Sequence, residues 1–256
     1  MTAPEAMEAL GFRVGTAGAH MARSVMLSGL EVLFRYVPPD AKRDAYKLAI
    51  IEDNVLRKAS YNNRLSTSTQ FVLMYGLEPK LALFRNFRRL WDHDQGSQQA
   101  LTLLMGMARD PIFRVCANHV VDMAHGEHAD RESLVKVLDG FGFGRWSRNV
   151  LVLAAGNVLN SLHQVGLITR KEHRRVQPTH GIAAISFALF LGRLEGAHDN
   201  ALFKTSWTRA LDRSAAELMV EATNASHEGM IDLLNAGGVV EVRFPGYLTS
   251  EEQGLL

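Results

Sequence analysis

The 256-residue chain contains one cysteine, Cys116. A single thiol excludes an intramolecular disulfide framework and suits a reducing compartment, so a cytoplasmic protein is expected. Cys116 lies in an apolar stretch and reads as core packing rather than as a nucleophile. No run reaches the ~18–20 apolar residues that a bilayer-crossing helix needs. The longest, IAAISFALFLG (182–192), reads as a buried helix, and no membrane partner is expected. The first residues lack a basic segment followed by an apolar core, so no signal peptide is expected. The patterns GxxxxGK[ST], GxGxxG and GxSxG are all missing, which leaves no phosphate loop, dinucleotide fingerprint or hydrolase elbow. Nothing nominates a nucleophile, a base, a cofactor or a metal, and no enzymatic activity is expected.

Alternating strand pattern is also scarce. Only GLIT (166–169) and VVEVRF (239–244) read as strands. Apolar residues instead recur at steps of three and four through 20–35, 44–58, 66–75, 80–91, 98–108, 112–124, 131–138, 148–165, 180–194 and 207–222, the period of amphipathic helices. Punctuation falls at VPPD (37–40), GLEP (76–79), DQGS (94–97), RDP (109–111), GFGFG (140–144) and AGG (236–238). Three glycines within 140–144 should stop a regular helix there, with Phe141 and Phe143 packing the turn. The expected fold is mainly α: a multi-helix globular protein with a winged helix-turn-helix-like segment and little β structure. Two helical domains are expected, 1–128 and 129–256. The second would hold the winged segment (about 131–180) and an acidic tail.

A net charge of +1 conceals a polarised chain. Segment 141–177 carries Arg145, Arg148, Arg170, Lys171, Arg174 and Arg175 against Glu172 alone. From Asp212 onward eight acids face only Arg213 and Arg243. Ser147 can cap a helix on which Leu151, Ala155, Val158, Leu162 and Val165 share one face, with Asn157, Asn160, Ser161 and Gln164 on the opposite one. Gly156 can bend or split that helix. Gly166 stops it, Leu167 and Ile168 read as a short strand, and the basic burst follows. Helix, glycine, strand and basic turn is the order of a winged helix-turn-helix.

Asparagine and glutamine can pair with adenine edges, and cations on the turn can neutralise phosphates. The expected DNA surface is therefore Arg148, Asn160, Gln164, Arg170, Lys171, Arg174 and Arg175. Arg57, Lys58, Arg64, Arg85 and Arg89 are expected as secondary phosphate contacts. For each cluster the plain alternative is a solvated charged face. His119, His125 and His128, with Asp122 close by, do not match a helical HExxH pair, and WDHD (91–94) reads as a helix end.

The chain resembles the BrxA family of accessory proteins from BREX phage-exclusion systems. The resemblance is carried by GTAGAHMARSVML (15–27), IIEDNVLRKASYNNR (50–64), MYGLEPKLALFRNFRRLW (74–91) and MARDPIFR (107–114). NVLNSLHQVGLIT (157–169), SFALFLGRLEG (186–196) and LFKTSWTRALD (202–212) continue it. It implies a cytoplasmic, mainly helical, non-enzymatic protein that binds double-stranded DNA in antiviral defence, beside other defence-system subunits. A protein-interaction scaffold and a winged-helix transcription regulator are the alternatives.

Overall fold

Most helix starts in this chain sit directly after a small polar or acidic residue. The computed structural model describes residues 2–142, 144–236 and 239–256. In chain order it runs α1 (Ala3–Leu10), a short 3-10 turn (Ala19–Met21), α2 (Leu27–Tyr36), α3 (Arg43–Ile51), α4 (Tyr61–Tyr75) and α5 (Ala82–His93). Next come α6 (Gln98–Arg109), α7 (Pro111–Val121), α8 (Arg131–Gly142), α9 (Arg148–Gln164) and α10 (Ile182–Leu194). The chain ends with α11 (Ser206–Arg209), α12 (Ala215–His227), β1 (Asp232–Ala236), β2 (Val239–Arg243) and α13 (Ser250–Gln253). Thr2, Ser60, Asp110, Thr205, Ser214 and Thr249 accept hydrogen bonds from first-turn amides of the helices that follow them. Those amides have no partner within their own helix.

The fold is mainly α. Among the described residues the only sheet is the antiparallel β1–β2 pair, in register with Asp232 opposite Arg243 and Leu234 opposite Glu241. Buried apolar side chains form one cluster from Leu10 to Tyr247, with members on both sides of position 128. At its centre α10 buries Ile185, Phe187, Ala188, Phe190 and Leu191, packing against α5, α6 and α12. That is why its sequence is apolar on every side. Among the described residues no helix is long and apolar enough to cross a membrane. Phe34, Phe84, Phe87 and Trp91 pack edge to face beside it.

Several boundaries differ from the periodicity. The 44–58 pattern is helical only to Ile51, because Asn54 adopts a left-handed backbone and its side chain bonds both the amide and the carbonyl of Lys58. The 207–222 pattern breaks into α11 and α12, since Ser214 and Glu217 form a capping box that starts a new helix. Helix α8 continues through Gly140 to Gly142 instead of stopping. The Trp146 ring lies so close to Gly142 that a Cβ there would meet it at 2.5 Å. Phe143, Gly237 and Gly238 lie outside the described residues.

Candidate nucleic-acid interface

The winged segment expected over about 131–180 opens with α8, and residues 127–129 run extended into that helix. Helix α9 is one unbroken helix despite Gly156. It ends where Gly166 takes a left-handed backbone (φ +76°), a conformation that costs other residues strain. The chain then goes out along Leu167–Thr169, turns through 170–173, and returns along Arg174–Val176. The returning segment lies between the other two. On one side the Thr169 amide donates to the Arg174 carbonyl (2.9 Å) and the Val176 amide to the Leu167 carbonyl (3.0 Å). On the other, the Gly126 amide donates to the Arg175 carbonyl (2.8 Å), the Arg175 amide to the Glu127 carbonyl (2.8 Å) and the Ala129 amide to the His173 carbonyl (2.9 Å). The basic turn is thus a short β-like hairpin braced against the residues that lead into α8.

Helix α9 is covered on two sides. Leu151, Ala155, Val158 and Leu162 are buried, as their spacing predicts. The side expected to face outward is covered as well, a correction to the sequence reading. The Asn157 side chain donates to the His20 carbonyl (3.0 Å). Ser161 Oγ accepts the Val25 amide (2.9 Å). Gln164 accepts the Leu27 amide (2.8 Å) and donates to Ser24 Oγ (3.2 Å). The segment from Ala19 to Leu27 therefore occupies the polar face of α9, and Gln164 is not available to read a base. What stays open is the narrow strip Asn149, Leu153, Gly156, Asn160 and His163, all at steps of three and four. Leu153 is 67% exposed, and the exposed Asn160 side chain has no hydrogen-bond partner among the described residues.

The same packing creates a buried chain of polar groups that the sequence reading missed. His20 Nδ1 lies 2.8 Å from Asp110 Oδ2, and His20 Nε2 lies 2.7 Å from Ser161 Oγ. Asp110 also accepts the His20 amide and, through Oδ1, the amides of Ile112 and Phe113. Burial raises the Asp110 carboxyl, but the His20 charge and these hydrogen bonds outweigh it and hold the pKa below the usual carboxylate value. The order serine, histidine, aspartate matches a hydrolytic triad. Here all three residues are 0% exposed. Five surface clefts among the described residues are lined by none of them, and Ser161 Oγ already bonds the Asn157 carbonyl. This geometry locks the N-terminal segment onto α7 and α9. One signal was readable: aspartate followed by proline is a helix start, with proline at the first helical position. His20 carries no comparable signal.

The predicted cations separate into bound and free. Arg175 is 1% exposed. It pairs with Asp212 at 2.8 Å and donates to the carbonyls of Val120 and Val176. Burial lowers its guanidinium pKa, and Asp212 opposes that shift. Arg175 therefore belongs to the interior, because the hairpin's alternation points it inward. Arg85 donates to the carbonyls of Pro79 and Tyr247 and pairs with Glu252 at 2.6 Å. Arg89 stacks over the Tyr247 ring at 4.3 Å. Together they clasp the acidic C-terminal segment. Arg64 donates to the Ile51 carbonyl at the end of α3 and lies over the Tyr61 ring. Arg85, Arg89 and Arg64 are thus committed to intramolecular partners, a further correction.

Arg148 is exposed but held by two hydrogen bonds to Glu132 (2.9 and 3.2 Å). Arg174 is exposed, paired with Glu172 at 2.7 Å and bonded to the Gly126 carbonyl. Arg170 and Lys171 are exposed and have no hydrogen-bond or ion-pair partner among the described residues. Arg57 and Lys58 line a cleft opposite His163 and Gln164.

The structure adds residues that sequence reasoning passed over. Arg131, the first residue of α8, is exposed, with its guanidinium beside Gly156 of the open strip. His128 and His173 face each other with ring centroids 6.3 Å apart. Burial, and then the charges of His128, Arg131 and His163, push the His173 pKa down. Their convergence depends on the hairpin pairing with 126–129, which no local pattern announced. No family model and no curated protein matches the chain.

Proposed function

We propose that the chain binds double-stranded DNA without acting on it chemically, with 111–176 working as a winged helix-turn-helix. In this reading the strip Asn149, Leu153, Gly156 and Asn160 of α9 faces the major groove, and the 170–174 turn lies along the flanking backbone. The observation that carries it is the pair Arg170 and Lys171. Both are exposed, lack partners among the described residues, and sit on a hairpin that continues directly from α9. Arg131 and Arg174 extend the same cationic face, while Arg57 and Lys58 supply longer-range attraction. With Gln164 engaged elsewhere, most contacts are to phosphates and sequence preference is weak. The resemblance to the BrxA family supports the same reading and its setting in antiviral defence. The scaffold alternative is less favoured, because Asp212, Glu221, Glu241 and Glu252 of the acidic tail are engaged within the chain.

The test is fluorescence anisotropy with a labelled random duplex across a salt series. The slope of log affinity against log salt should be several units, at ~0.9 per neutralised phosphate. The variant Arg170→Glu/Lys171→Glu/Arg174→Glu should remove most of the affinity and reduce the slope by about 3. An unchanged slope in that variant would sink the assignment.

A pH effect accompanies it. Burial and the neighbouring cations place the protonation of His173 below the ordinary imidazole value near 6.5. Glu127, Asp130, Glu132 and Glu172 are the acids on the adjoining elements, beside Arg131, His128 and His163. Duplex affinity at fixed ionic strength should therefore rise as pH falls below the ordinary imidazole value near 6.5. His173→Gln should flatten that rise; an identical profile in the variant would exclude this histidine.

A further inference from the structure

The cleft beside α9 has a chemistry of its own. It encloses about 820 Å³ between the start of α2, the turn 54–58 and the C-terminal end of α9. Its apolar lining comes from Leu27, Val32, Val55, Leu56 and Phe71, and Val32 is 41% exposed although it is aliphatic. Its polar side holds Arg57 and Lys58, whose side chains have no hydrogen-bond or ion-pair partner among the described residues. Glu31, the only acid in the lining, is drawn toward Arg35 at 3.9 Å. Met26 precedes α2 without providing a side-chain cap, and the first-turn amides of Ser28 and Gly29, both lining the cleft, make no hydrogen bond among the described residues. Two cations and two amides without partners among the described residues thus belong to residues that line one partly apolar cleft.

We propose that this cleft binds a small phosphate monoester carrying a flat apolar group, the class to which nucleoside monophosphates belong. The phosphate would sit against the α2 amides, Arg57 and Lys58, where donors and helix dipole both favour an anion. The apolar group would cover Val32, Val55 and Leu56. A Cβ on Gly29 would lie 3.1 Å from the Phe71 ring, so α2 packs close against that side of the cleft. The cleft shares Arg57 and Lys58 with the longer-range cations of the proposed duplex surface, but its case rests on its own lining and not on that reading.

Isothermal titration with phenyl phosphate, inorganic phosphate and adenosine monophosphate tests it on the full chain. Phenyl phosphate and adenosine monophosphate should bind measurably more tightly than inorganic phosphate. Arg57→Glu should weaken both at least about tenfold, as expected for a lost charge-assisted hydrogen bond. Ser28→Asp is the second variant. An acid in the first turn of α2 favours the helix, so the fold should be retained while phosphate is repelled and binding is lost. Equal binding of inorganic phosphate, binding unaffected by Ser28→Asp, or no binding by any probe would each overturn the proposal. So would displacement of phenyl phosphate by duplex DNA with parallel loss of both in Arg57→Glu, which would make the cleft part of the duplex surface. Phenyl phosphate binding in a protein that ignores duplex DNA would leave this site standing while the proposed function fell.

Discussion

Asp110→Ala is expected to lower the free energy of unfolding by about 3–5 kcal/mol, the range for removing one partner of a buried ion pair. Its carboxylate accepts four hydrogen bonds from three residues, His20, Ile112 and Phe113. Removing it uncaps α7 and leaves the 0%-exposed His20 ring unpaired at Nδ1. The chain has also shaped itself to the carboxylate, since a Cβ on Gly18 would meet Asp110 Oδ1 at 1.9 Å. Ser161→Ala should cost less, about 1–3 kcal/mol, because it removes a neutral partner from His20 Nε2 and from the Val25 amide.

The acid limb follows from the lowered Asp110 pKa. A depressed carboxyl contributes stability that is complete above its unfolded value, about 3.9, and is lost as pH falls through the lower folded value. Asp110→Asn keeps the shape and part of the cap, and should flatten stability against pH below about 4. Urea unfolding of the three variants decides the matter. A midpoint for Asp110→Ala equal to that of the parent protein would show the buried chain to be energetically idle.

Arg175→Met should destabilise the protein by a similar amount, about 3–5 kcal/mol, while the neighbouring Arg170→Glu/Lys171→Glu/Arg174→Glu variant should stay within about 1 kcal/mol of the parent. One position separates an exposed Arg174 from an Arg175 that is 1% exposed, since successive side chains on an extended segment point to opposite faces. Methionine fills part of the arginine stem but leaves the Val120 carbonyl, and Asp212 on one side, without their donor. Circular dichroism melts beside the anisotropy titration separate the two effects. Loss of DNA affinity in a variant that includes Arg175 would report unfolding. A stable Arg175→Met protein would return that residue to the list of surface cations.

The helical class was legible because three-and-four spacing is a local property, and it held even for α9 across Gly156. Broken stretches were less legible: the Asn54 turn and the Ser214 cap interrupt sequence whose apolar period runs on. The site was legible only where a residue's environment is set by near neighbours. Arg170 and Lys171 lie at a turn tip, and the turn residues themselves place them outside. Arg85, Arg89 and Gln164 are settled instead by Tyr247, Glu252 and Leu27, which are remote in sequence. A basic cluster without acids nearby in the chain can still be neutralised by acids folded onto it.

His20 and Ser161 are separated by 141 residues. At ribosomal rates of ~5–20 residues per second, His20 leaves the peptidyl-transferase centre ~7–28 seconds before its serine is made. Throughout that interval the groups of the Ala19–Leu27 segment that bond α9, among them the Val25 and Leu27 amides, are without those partners. Vectorial synthesis therefore makes closure of the N-terminal strap a late event, and α9 is the piece on which it waits.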